Sequence, residues 1–263
     1  MPVPWLLLAC AFHVPSPASG EAQALTRIRD ADETARPYVR IGGGLWLVDT
    51  GASRTTCDDS YVRGSRVAPS PWRARGEAGI VGVGRAVLRD VDVGGWHFAR
   101  LPCAVRDLDS TSSLPPGAAG VLGSNVLRHF SVEFTDDDVT LSTTRVEGER
   151  LRRWGVRLVA TLSVDGVDVP VVVDTGADHA YLPLASAHPV QVYAAVREGT
   201  GPSGEVAVEV IVHTVGDARV GDLDLPLRTW IEREGRIGLL GIDAFTGRRV
   251  VVDFVGRRLF VSP

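Results

Sequence analysis

Lysine is absent from this 263-residue chain, and all 28 of its basic side chains are arginine. No Gly-x-x-x-x-Gly-Lys phosphate loop can therefore exist, and Gly79-Ile-Val-Gly-Val-Gly84 lacks the βαβ setting of a nucleotide loop. Cysteine is scarce: Cys10, Cys57 and Cys103 form no Cys-x-x-Cys or Cys/His cluster at metal-ligand spacing, so neither a metal nor a cofactor is expected. No Ser-His-Asp or Cys-His arrangement has supporting context. The net charge of -4 gives no electrostatic case for nucleic acid or an anionic membrane surface. Long apolar runs are missing too. The N-terminal stretch Trp5-Leu-Leu-Leu-Ala-Cys-Ala-Phe12 is too short to span a bilayer, and no other segment is apolar enough.

That stretch, followed by small residues up to Gly20, resembles a secretory signal, so residues 1–20 are expected to be a targeting segment and the protein exported. Leu7-Leu-Ala-Cys10 resembles a lipoprotein box, which would make Cys10 a lipid attachment point. In an exported protein Cys57 and Cys103 would form a disulfide; in a reducing compartment they would stay separate thiols.

What the chain does contain is a repeat. Leu45-Trp-Leu-Val-Asp-Thr-Gly-Ala-Ser53 in the first half matches Val171-Val-Val-Asp-Thr-Gly-Ala-Asp178 in the second. Downstream, Gly120-Val-Leu-Gly123 matches Gly238-Leu-Leu-Gly241. Asp49 precedes Gly123 by 74 residues and Asp174 precedes Gly241 by 67, so two signatures recur in order at similar separation. This is a duplicated domain rather than a short-period solenoid. Lobes are expected over residues 36–145 and 155–263, joined by a charged linker over 146–154.

The local signals are mostly β. Two β-branched runs flank Asp165-Gly166, a hairpin signal, and Gly42-Gly-Gly44 plays the same part in the first half. Short helices are expected only after each Val-Leu-Gly or Leu-Leu-Gly element, at 124–129 and 242–245.

Asp-Thr-Gly suits one particular chemistry. Water attacks an amide poorly at neutral pH. One carboxylate can take its proton while a protonated carboxyl opposite polarises the carbonyl. Two close carboxyls cannot both ionise cheaply, so their pKa values separate. An apolar strand would deliver Asp49 or Asp174 to a buried turn. Thr50 or Thr175 would bond across the interface. Gly51 or Gly176 would permit close backbone approach and an unusual φ. One loop is half a site, and this chain has two.

These residues resemble the pepsin/retropepsin superfamily of aspartic proteases, nearest its retropepsin-like branch, over about residues 38–261. The resemblance implies an all-β protein with two similar β-barrel-like lobes and an interlobe cleft. It implies an aspartic endopeptidase that holds an extended polypeptide beneath two hairpin flaps, with no metal or covalent intermediate. It makes Asp49 and Asp174 catalytic and Thr50, Gly51, Thr175 and Gly176 loop supports. It puts substrate contacts at Ala52, Ser53, Ala177 and Asp178, and at Gly79 and Gly201 in flaps near 75–80 and 199–204. Two fused lobes imply a monomer.

Lobe one departs from the retroviral pattern, with Ser53 where an aspartate follows Asp-Thr-Gly-Ala. Ser124 and Ile242 stand where an arginine follows the later glycine, so the ion pair of that pattern is not expected. Other readings are an inert peptide-binding module of the same fold, and a cation site at Asp136-Asp-Asp138, which fits a solvated turn better. His179 and His188 flank the second motif as surface or structural residues, while His97, His129 and His213 fit packing or surface positions.

Overall fold

The computed structural model describes residues 16–17, 22–31, 34–63, 67–76, 79–110, 114–183, 192–201 and 204–262. Cys10, His188 and most of the leader segment lie outside the described residues. The fold is nearly all β, with two curled half-barrel sheets.

In the first half the sheet runs Tyr38–Ile41, Gly44–Val48, Ala118–Leu122, Thr56–Asp58, Trp96–Arg106, Gly79–Val93 and Ala68–Gly76. The second half repeats this plan around Val167–Val173, Gly238–Leu240 and Tyr181–Pro183. In each half, the strand that leads into Asp-Thr-Gly pairs in parallel with the strand that ends at the later glycine. Parallel neighbours cannot be joined by a tight turn, so the intervening chain must leave and return. That excursion carries most of the remaining strands of the sheet.

The hairpins follow the turn chemistry of the sequence. Gly42 and Gly43 have φ of 56° and 81°, and Asp165 and Gly166 have 48° and 83°. Two consecutive positive φ values give the turn whose twist matches that of the flanking strands. Ile41 pairs with Gly44 and Val164 with Val167 across these turns. Burial alternates along Trp96–Arg106, as expected of a strand covering a core with one face. Cys57 and Cys103, both buried, are joined by a disulfide with Cα atoms 5.9 Å apart.

A third sheet belongs to neither half alone. Its six strands run Glu149–Arg150, Arg258–Val261, Val250–Asp253, Ser131–Phe134, Asp138–Ser142 and Ala24–Thr26. The closing strands of the two repeats meet in the middle, with Val132 opposite Val252. Val132, Val139, Leu141, Val252 and Leu259 are fully buried there, so one apolar layer ties the halves together. The charged segment between the repeats is not bare linker. Glu149–Arg150 joins this sheet and Arg152–Trp154 pairs with Arg157–Val164, because backbone pairing does not require apolar side chains.

A four-residue helix, Ser124–Leu127, and a 3-10 turn, Ile242–Phe245, stand after the two glycines. Backbone hairpins stand at both expected flap positions, Ala68–Gly76 with Gly79–Val93 and Val192–Gly201 with Gly204–Thr214. Gly79 pairs with Gly76 and Gly201 with Gly204 at their ends, and tip residues 77–78 and 202–203 lie outside the described residues.

Candidate active site

The two Asp-Thr-Gly loops meet where the halves face each other. Each aspartate is held from behind by its own half: Asp49 N–H donates to Leu122 O at 3.1 Å, and Asp174 N–H to Leu240 O at 3.0 Å. Gly51 and Ala52 N–H both donate to Asp49 Oδ1, at 2.8 and 2.7 Å. Gly176 and Ala177 N–H donate to Asp174 Oδ1 at 3.1 and 3.2 Å. Each carboxylate is thereby fixed on one oxygen, and the other oxygen is left to face the opposite loop.

The threonines cross between halves. Thr50 Oγ1 donates to Val173 O at 2.7 Å and accepts from Thr175 N–H at 3.0 Å. Thr175 Oγ1 donates to Val48 O at 2.8 Å and accepts from Thr50 N–H at 3.2 Å. Both side chains are buried, at 1% and 0% exposure, so these four bonds have no water to compete with them.

The glycines are required for space. A Cβ on Gly51 would lie 2.2 Å from Cγ of Asp174, and one on Gly176 would lie 2.3 Å from Cγ of Asp49. Each carboxyl group therefore rests on the opposite glycine. Neither glycine has a positive φ, which corrects the expectation that an unusual backbone angle selects them. The later glycines have the same role. A Cβ on Gly123 would approach Arg54 O to 2.5 Å, and one on Gly241 would approach His179 O to 2.2 Å. Gly51→Ala should fold with the loops pushed apart and lower peptide turnover on the order of 10²-fold, the cost of about 1 Å of misplacement. Steady-state kinetics on the purified variant checks this, and near-normal turnover would mean the contact is slack.

The two carboxyl groups, each resting on the glycine of the opposite loop, are half-buried. Burial pushes the Asp174 carboxyl well above the ordinary range, and the charge of Asp49 beside it adds to the effect. Burial also raises Asp49, but the N–H of Ala52, the neighbouring carboxyl of Asp174 and the N–H of Gly51 oppose it. The pair thus favours a state that holds a single proton between its two carboxyls, one ionised and one protonated.

Two polar neighbours carry no sequence motif. Ser124, fully buried, donates from Oγ to Ala52 O at 2.7 Å and from its N–H to the same oxygen at 2.9 Å. It braces the loop where the retroviral pattern has an arginine. Arg157 reaches across from the second half and donates from Nε to Gly51 O at 2.6 Å. Its positive charge favours the ionised form of both aspartates.

Of the substrate-contact candidates, Ala52 and Ala177 belong to the loop network just described. Ser53 is exposed, and Asp178 is half-buried and accepts from Tyr181 Oη at 2.9 Å. His179 pairs with Asp243 at 3.3 Å. His213 is buried away from solvent, stacked on Trp230 at 3.8 Å and bonded to Glu232 at 2.5 Å. His97 pairs with Asp92 at the surface, and His129 is half-buried. Among the described residues no cluster of His, Cys, Asp or Glu could hold a metal ion. The Asp136-Asp-Asp138 segment is a turn, with Asp137 paired to Arg29 at 2.7 Å.

Paired Asp-Thr-Gly loops on a nearly all-β frame are consistent with the pepsin/retropepsin-like class of aspartic protease. Residues 43–126 match the family model described as aspartyl protease, consistent with that class. No curated protein matches the chain.

Proposed function

We propose that the chain is an aspartic endopeptidase that hydrolyses a polypeptide held extended between its two halves. The observation that carries this reading is the pair Asp49 and Asp174, each held by two backbone N–H groups of its own loop and each resting on the glycine of the opposite loop. Asp49, ionised, takes a proton from a water molecule. Asp174, protonated, donates to the carbonyl oxygen of the scissile amide. The water oxygen adds to the carbonyl carbon and gives a neutral gem-diol. Asp49 then passes its proton to the leaving nitrogen while Asp174 recovers its own, and the C–N bond breaks into an acid and an amine. Protons balance and the pair returns to its starting state.

No family property of the second half is needed for this reading, because its loop repeats the backbone bonds to the aspartate and the threonine crossing of the first. The buried Cys57–Cys103 disulfide supports export to an oxidising compartment, and the duplication supports a monomer. Incubation with a mixed peptide library, with and without a statine-type analogue, tests the reading. Cleavage blocked by the analogue is expected. Peptides bound but uncut would favour the inert peptide-binding module.

The pH dependence follows from both carboxyls being raised above the ordinary carboxylate range. The reactive form carries one proton on the pair. Activity is lost on the acid side when Asp49 protonates, and on the alkaline side when Asp174 loses its proton. Both limbs are therefore expected above the ordinary carboxylate range, giving a bell in kcat/KM rather than a plateau extending to strong acid. A profile whose acid limb lies below that range would contradict the assignment.

A further inference from the structure

We propose that Arg157 determines specificity: its guanidinium forms a subsite beside the aspartate pair that takes the carboxylate of an aspartate or glutamate side chain on the bound polypeptide. This rests on the endopeptidase reading, and it is carried by a separate set of observations. Arg157 opens the strand Arg157–Val164, two residues after the turn at Gly155, and lies at the junction of the halves. Its Nε–H is committed to Gly51 O at 2.6 Å, which fixes the plane and direction of the guanidinium. Among the described residues its two terminal nitrogens have no hydrogen bond or ion pair, although the group is only half-buried.

The described surroundings leave the far end of the guanidinium without a protein partner. The ring of Trp154 stands 5.7 Å from the guanidinium carbon and is itself 51% exposed, a wall for the methylene stem of a ligand side chain. In the facing loop Ser53 is exposed and carries no charge, and the carboxylate of that loop, Asp49, is held by Gly51 and Ala52. The nearby aspartates are fixed by Gly51, Ala52, Gly176 and Ala177, so they do not turn to engage it. A guanidinium with one edge anchored and its far end open presents paired N–H donors with little entropy left to lose on binding a planar carboxylate.

The test compares the wild-type protein, Arg157→Gln and Arg157→Lys on a randomised peptide library, scoring both cut and bound peptides by mass spectrometry. Wild type is expected to enrich Asp and Glu at one fixed position relative to the cut. On a matched pair of peptides, Glu at that position should exceed its Gln isostere by about tenfold in kcat/KM, the effect of one charged hydrogen bond. Arg157→Gln should bring that ratio to near one, and Arg157→Lys should retain part of it. A ratio is insensitive to the fraction of folded enzyme and to any loss common to both peptides from the broken Gly51 contact. Acidic enrichment in the bound pool that disappears in Arg157→Gln supports the subsite even if nothing is cut, an outcome that would count against the endopeptidase reading alone. Absence of acidic enrichment in both pools, or enrichment that survives Arg157→Gln, overturns the proposal.

Discussion

Asp49→Asn and Asp174→Asn are each expected to lower peptide hydrolysis by on the order of 10³-fold or more, the contribution of a positioned acid or base. The amide keeps an oxygen where Gly51 and Ala52, or Gly176 and Ala177, donate, so the loops retain their bonds. What is lost is the ability to share and pass on a proton. Stability should move the other way. The raised Asp174 carboxyl binds more protons in the folded chain than in the unfolded one between the ordinary carboxylate value and its own. Folding stability therefore falls as pH rises through that window. Asp174→Asn removes this penalty. Chemical denaturation should find the variant as stable as wild type in acid and relatively more stable at neutral pH. Turnover within tenfold of wild type in either variant would defeat the two-carboxyl mechanism.

Thr50→Val and Thr175→Val should each destabilise the protein by about 2–6 kcal/mol, because each leaves two buried groups unpaired at about 1–3 kcal/mol apiece. In Thr50→Val these are Val173 O and the N–H of Thr175; in Thr175→Val they are Val48 O and the N–H of Thr50. Valine matches threonine in volume, so no cavity complicates the comparison. Thr50→Ser keeps the hydroxyl and should lose much less. The double valine variant should cost less than the sum of the two, since the four bonds form one closed crossing. Denaturant melts with a common m-value would read these differences. A Thr50→Val protein as stable as Thr50→Ser would show that the crossing contributes nothing.

The loops were legible because their chemistry is local: an apolar strand, three fixed residues and a later glycine suffice to identify each one. The duplication then supplied the pairing of Asp49 with Asp174, since one repeat completes the other. Turns at Gly42-Gly43 and Asp165-Gly166 were equally plain, being set by residues that accept a positive φ. The third sheet was not legible in this way. Ser131–Phe134 and Val250–Asp253 read as the endings of separate lobes, and nothing within either strand specifies a partner more than a hundred residues away. The strands at Glu149–Arg150 and Arg152–Trp154 were hidden by their charge, for they are held by backbone pairing. Arg157 had no signal because its role depends on where the Gly51 carbonyl lies in the other half. The need for glycine at 51 and 176 was visible, but its cause, a carboxyl group from the opposite loop, was not.

The central antiparallel pairing of Ser131–Phe134 with Val250–Asp253 maps onto itself under a half-turn. Two identical half-length chains could satisfy the same ladder, and would then present two equivalent acids between which a proton has no preferred residence. Covalent fusion removes that equivalence. Once each acid has its own neighbours, mutation can favour the charge on one and the proton on the other, and can place a single cation such as Arg157 to one side. A fused chain can thus give its substrate a direction, which a symmetric pair of subunits acquires only when the substrate arrives.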